Sequence, residues 1–453
     1  MILSRTQPKI NSEQRTETRF YLFLGLMLLW VWVQSLAMLE MLPGVWIQRF
    51  LTLKNLSSLG PVVLGTLLYI DKIRVNSLAI PPLAFAWYAF VNVSINILVQ
   101  ELPLTGLYPA SMYFVWAWAL FVVIPTAFDT SRRLAVFLRL AIWGTAVILI
   151  WGSALAILAG RPIFVHSGHS YSTVRYTFGF RHPGYIAHLL AVIPLSGLIL
   201  RNLSTSRVEK LTLFLLSVVA LVLLIAADSR TNVLLVFTSF SVSWLVKSKR
   251  RSRWIIIVWA LSLSVLLWFT LMSVTNMSSP DYQIGILDPS GRFEIWGNLI
   301  SQTFDNTTTV GRLLVGQGFV GGVGGFKSSS TPEGEFATTE FRISRWDNGY
   351  IEAFISYGLV GLALFLWIFY KLLKDAFRVR SMSGIAKSVY NNVCLSIGLI
   401  AGILVMGLVV SNMPSVGNLI YAVLLPSGIA VVLANCENRY DETNAPDMPV
   451  AKR

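Results

Sequence analysis

The chain has 453 residues, of which 55% are hydrophobic and only 13% charged, about half the charged share of an ordinary soluble domain. So few charges cannot cover a water-exposed surface, which excludes a soluble globular protein. The net charge of +14 comes from Lys and Arg spread over short segments between apolar runs, with no basic domain and no zinc or RNA-binding motif, which argues against a nucleic-acid partner.

Apolar runs of roughly twenty residues recur from Phe20 to Leu433, each long enough to cross a hydrocarbon core as a helix. Helix is required because lipid offers the backbone no hydrogen-bond partner. The first run follows Arg5, Lys9, Arg15 and Arg19 with no small-residue cleavage site behind it, so it reads as a retained span. Spans are expected near 20–39, 56–70, 78–99, 106–128, 134–159, 183–200, 210–227, 230–246, 254–275, 349–370, 393–411 and 414–434. With the N-terminus inside, 25 of the 36 Lys and Arg fall on inner segments, which sets the orientation by the positive-inside rule. The expectation is an all-α integral membrane protein of about twelve transmembrane helices. Cytoplasmic tails cover 1–19 and 435–453, spans one to nine 20–275, an external loop 276–348, and spans ten to twelve 349–434.

Four polar stretches then share the outer side. The first, Arg175 to Tyr185, includes Gly179-Phe-Arg-His-Pro183. Pro183 suits a helix's first turn, and Arg175 and Arg181 can fork onto phosphate oxygens. The same residues also suit a solvated loop whose arginines snorkel to headgroups. The second, Asp228-Ser229-Arg230, is wedged between two apolar runs. Its arginine either faces a polar cavity or is neutralised by Asp228 in an interfacial turn.

The third stretch, Gly291-Arg-Phe-Glu-Ile-Trp296, lies in the loop of about seventy residues, a length that is functional or disordered as a rule. Trp296, Phe319, Phe326, Phe341 and Trp346 in that loop argue against disorder. On a helix, Arg292 and Trp296 share a face and Glu294 does not. A guanidinium beside an indole suits a sugar phosphate, and an interfacial amphipathic helix is the alternative. The fourth stretch, Trp346-Asp-Asn-Gly-Tyr-Ile-Glu352, opens a span. Asp347 and Asn348 are good helix caps, whereas Glu352, one turn into lipid, needs a polar surrounding. Gly358 and Gly361 further on would allow close helix packing.

Other features carry less. Gly321-Gly-Val-Gly-Gly-Phe-Lys-Ser328 has Phe326 where a phosphate loop needs glycine and reads as a plain loop. His166, His169, His182 and His188 show no zinc spacing. Cys394 and Cys436 are too few for a disulfide framework or a metal site.

In order along the chain, Arg175 with Gly179-Phe-Arg-His-Pro183, Ser229-Arg230, Gly291-Arg292 with Trp296, and Asp347-Asn348-x-Tyr350 followed by Tyr357-Gly358-x-x-Gly361 resemble the O-antigen polymerase and ligase superfamily of membrane glycosyltransferases. The likeness covers Arg175 to Leu366, and the first five spans resemble that family in hydropathy alone. It implies a donor linked through diphosphate to a polyprenyl carrier, inverting transfer, and no metal or other cofactor. The implied partners are that lipid-linked oligosaccharide, membrane lipid, a flippase and a chain-length regulator. Ligases of the superfamily typically carry His where this chain has Asp347, and Phe-x-His-Pro before a span is typical of polymerases, so the polymerase is expected. Gly184 stands where relatives often have Asn.

Charge growing on the departing diphosphate calls for preorganised cations, which assigns Arg230 and Arg292 with Arg175, and Arg181 in reserve. Asp347 is the first choice for a base, with Glu352 or Glu294 behind it. His182, Trp296, Asn348 and Tyr350 are assigned substrate contacts. A ligase and a transporter remain as alternatives. A transporter should bind at mid-depth in broken helices, and Pro81, Pro82 and Pro194 could break spans.

Overall fold

The computed structural model describes residues 7–36, 60–100, 107–128, 130–160, 164–166, 174–176, 183–227, 230–247, 310–316, 349–382, 385 and 387–408. The expected spans 254–275 and 414–434, and Cys436, lie outside these residues. Within them the protein is helical apart from one short ribbon.

Helix α1 spans Gln7–Leu36 and α2 Gly60–Tyr69. Helix α3 covers Ile80–Gln100. Helix α4 starts as Leu107–Trp118, passes through a π-helical stretch at Ala119–Val123 and finishes as Ile124–Ala127. The widening has a covalent cause. Pro125 has no N–H to give the Phe121 carbonyl one turn earlier, and the Ile124 N–H reaches five residues back to Ala119. The Asn76 amide approaches the Phe121 oxygen at 3.5 Å.

Helix α5, Ser131–Leu158, is capped by Thr130, whose side chain accepts from the Arg133 N–H. A ribbon follows, β1 Phe164–His166 and β2 Val174–Tyr176, antiparallel with Val165 opposite Arg175. Helix α6 is Pro183–Leu203. Helix α7, Arg207–Ala226, is capped by Ser206. Helices α8, Arg230–Lys247, and α9, Val310–Val315, precede α10, Gly349–Ser381, and α11, Lys387–Met406.

Among the described residues, seven helices are long and apolar enough to cross a membrane, and their outward faces are apolar too. Trp87, Leu98, Ile150, Leu158, Val208 and Val222 are each more than half exposed, an outer surface that lipid tolerates and water does not. The chain is a multi-pass membrane protein. Several helices outrun the expected spans: α1 starts at Gln7, α10 continues to Ser381 and α11 begins at Lys387.

Polar contacts between helices fix which helix ends lie together. At one end Arg133 of α5 meets Glu17 of α1 at 3.1 Å, and Arg139 of α5 meets Glu209 of α7 at 2.6 Å. Asn202 of α6 meets Asn392 of α11 at 2.7 Å, and Arg380 of α10 donates to the Val246 carbonyl of α8 at 2.6 Å. Arg19 and Asp71, Lys72, Arg132, Lys247 and Arg378 all belong to this basic end. Helices α8 and α11 run antiparallel in close contact, because Gly398 lies against Ser239 and Ser243 while Gly402 lies against Leu235 and Ser239. The start of α8 therefore sits beside the finish of α11, at the other end of the bundle.

Candidate functional site

That second end gathers the starts of α6, α8 and α10 and the finish of α11. Helix α11 stops at Met406, which leaves its last carbonyls without partners inside the helix. Those of Ile403, Leu404 and Val405 find partners beyond it. The Gly407 N–H donates to the Ile403 oxygen at 3.0 Å and the Leu408 N–H to the Val405 oxygen at 3.1 Å. The Tyr350 hydroxyl donates to the Leu404 oxygen at 2.5 Å. The Gly349 N–H donates to the Gly407 oxygen at 2.9 Å, so two residues pin the first turn of α10 onto the end of α11.

Glu352 stands in that same turn, half-buried, and acts electrostatically on the phenols of Tyr113 and Tyr357. Those hydroxyls lie 3.4 Å apart between α4 and α10. Arg230 opens α8. Two residues on, buried Asn232 holds the ring of His188 from α6, with Oδ1 2.8 Å from Nδ1. An amide oxygen accepts only, so the contact assigns the proton to Nδ1. Strand β2, with Arg175, lies beside α7.

The structure thus brings the start of α8 at Arg230, the turn with Tyr350 and Glu352, and the start of α6 at Pro183 to one end of the bundle. For Arg175 and Arg230 only the backbone is described, and Arg181, His182, Arg292, Glu294, Trp296, Asp347, Asn348 and the glycine-rich 321–328 segment lie outside the described residues.

Two features were missed by sequence reasoning. The first is the pairing of His188 with Asn232. Its signal was faint, two polar residues near the starts of spans whose neighbourhood only the fold reveals. The second concerns Gly358, expected to ease helix packing. It has φ 66 and ψ −168 and breaks α10. The backbone of Leu314–Gly316 fills the break, since a Cβ on Gly358 would meet the Leu314 carbonyl and the Gly316 nitrogen. Around it stand Tyr88 and Asn92 of α3, Tyr113 and Tyr357. Polar groups therefore extend inward from the bundle end, where sequence reasoning placed them at the rim alone.

No protein-family model matches the chain, and no curated protein matches it.

Proposed function

We propose that the protein is a polysaccharide polymerase that joins polyprenyl-diphosphate-linked repeat units on the outer face of a bacterial plasma membrane. Twelve spans, both termini in the cytoplasm and the basic end of the bundle facing inward complete this reading, with positive-inside bias as its warrant. The observation that carries it is the meeting, at the less basic end, of stretches far apart in sequence. The turn opening α10, the start of α8 at Arg230 and the ribbon strand with Arg175 beside α7 are three of the four elements of the superfamily resemblance.

In the proposed reaction an acceptor hydroxyl oxygen bonds to the anomeric carbon as the bond from that carbon to the diphosphate oxygen breaks. The electron pair leaves with the polyprenyl diphosphate. Arg175, Arg230 and Arg292 stabilise the growing charge, and Asp347 takes the hydroxyl proton, with Glu352 the alternative base. Arg181, His182, Trp296, Asn348 and Tyr350 contact the substrate. Tyr350 does so through its ring, because its hydroxyl proton ties α10 to α11. No metal takes part, and a flippase and a chain-length regulator act beside it.

The break in α10 favours a second reading, a transporter with a mid-depth site in a discontinuous helix. Against it, the break is filled by the chain's own backbone at Leu314–Gly316, where a transported substrate would have to sit. Transfer of the glycan to a different acceptor, as a ligase does, would use the same groups. A deletion strain separates the three. The polymerase reading expects carrier lipid bearing a single repeat unit to accumulate, and loss of long glycan without that intermediate would overturn it.

A further inference from the structure

Gly316 and Gly358 approach each other backbone to backbone. A Cβ on Gly316 would meet the Gly358 nitrogen, the Ser356 oxygen and the Tyr357 nitrogen. Both residues have positive φ, 82 and 66, where glycine alone is unstrained. The contact lies well below the first residue of α10, by about 13 Å at helical rise. A piece of the expected external loop is therefore re-entrant, at a depth where backbone groups outside regular helix must find protein partners.

Two side chains of α3 supply them. The Asn92 amide donates to the Val315 oxygen at 2.5 Å. The Tyr88 hydroxyl lies 3.0 Å from the Tyr357 oxygen and 3.2 Å from the Val315 oxygen, sharing one proton between them. Asn96 donates to Asn92 Oδ1 at 3.1 Å, which turns the amide's donor side toward Val315. Tyr88 and Asn92 are one helical turn apart on one face of α3, and Asn92 is buried. The break at Gly358 makes Gly349–Tyr357 a separate half-helix, and Tyr350 and Glu352 ride on it.

We infer that Tyr88 and Asn92 are positioning residues. They latch the Leu314–Gly316 stretch into the break and so fix the direction of the half-helix that carries Tyr350 and Glu352 to the site. The role in turnover rests on the polymerase reading, whereas the latch does not. Neither residue falls in the part of the chain that carries the superfamily motifs.

The test uses the full chain in native membrane vesicles with Leu313→Cys, a half-buried position beside the latched stretch, as reporter, labelled by a membrane-impermeant maleimide and quantified at position 313 by peptide mass spectrometry. Tyr88→Phe removes one hydroxyl and Asn92→Leu removes the amide at similar volume. Each should raise the labelling rate about tenfold, the scale set by losing one hydrogen bond to the Val315 carbonyl. In variants without the reporter, ladder formation from lipid-linked repeats should fall about tenfold in kcat with KM nearly unchanged, since an interaction made for the transition state is lost. Unchanged labelling in both variants would overturn the latch. Faster labelling with unaltered ladder kinetics would overturn the positioning role. If the unmodified chain makes no ladder, the polymerase reading and the positioning role fall together, and the labelling ratio still decides the latch.

Discussion

Replacing Gly358 with alanine tests the broken helix directly. Its φ of 66 and ψ of −168 fall in a region open to glycine, where another residue costs about 1–3 kcal/mol. The added Cβ would also overlap the Leu314 carbonyl and the Gly316 nitrogen, both backbone atoms that move only if α9 lifts away from α10. Lifting forfeits the Val315 contacts with Tyr88 and Asn92, about 1 kcal/mol for each hydrogen bond, so the total is about 3–5 kcal/mol. Two substitutions separate the contributions. Gly160 has φ 65 but nothing within 4 Å of a Cβ, so Gly160→Ala carries backbone strain alone, about 1–2 kcal/mol. Gly25 is helical and equally open, so Gly25→Ala should gain up to about 1 kcal/mol. Thermal unfolding of the detergent-solubilised chain, followed by tryptophan fluorescence, should rank Gly25→Ala at or above the unmodified protein, then Gly160→Ala, then Gly358→Ala. Gly358→Ala melting at or above Gly160→Ala would contradict a break filled by the Leu314–Gly316 backbone.

Other predictions concern the bundle ends and the proposed chemistry. Arg19 donates to both Asp71 carboxylate oxygens at 2.6 and 2.7 Å, and this bond holds the Asp71 carboxyl below its ordinary range. A lowered folded value means that the pair stabilises above about pH 3.9, the usual aspartate value, and is lost as pH falls through the lowered one. Asp71→Asn should therefore flatten the fall in melting temperature on acidification below that value, and an unchanged acid slope would contradict the assignment. Gly398→Leu places a side chain against the Ser239 oxygen and Ser243; it should separate α8 from α11 and lower folded yield several-fold, read by size-exclusion chromatography in detergent. Asp347→Asn should abolish ladder formation while leaving the protein in the membrane, and full activity would leave Asp347 a capping role only.

Much of the helical framework was readable because membrane helices declare themselves by local composition. Pro183 begins α6, as its missing N–H suits a first turn. The Asp228-Ser229-Arg230 interruption reads as a turn, and Arg230 is the first residue of α8. Hydropathy marks what lies in lipid, whereas helices continue past it. The polar Gln7–Arg19 stretch and the basic Lys371–Ser381 stretch are helical for that reason, and neither shows in an apolar run.

The candidate site was legible in its ingredients and not in its supports. Glu352 stood out because a carboxylate near lipid needs company, but its neighbour Tyr113 comes from α4, more than two hundred residues away. Gly358 could be seen as special, yet close packing and a break filled by a re-entrant backbone have the same signature in one dimension. Tyr88 and Asn92 look like ordinary polar residues of a span until the Val315 carbonyl arrives from the far side of the sequence.

The most direct measurement mixes purified protein, in liposomes and without metal, with polyprenyl-diphosphate-linked repeat units and sizes the lipid-linked products. The unmodified chain should give a ladder of lengthened glycans, and correctly inserted Arg230→Ala none. Repeat units left at their starting size by the unmodified chain, or carried across the bilayer intact, would contradict the polymerase reading.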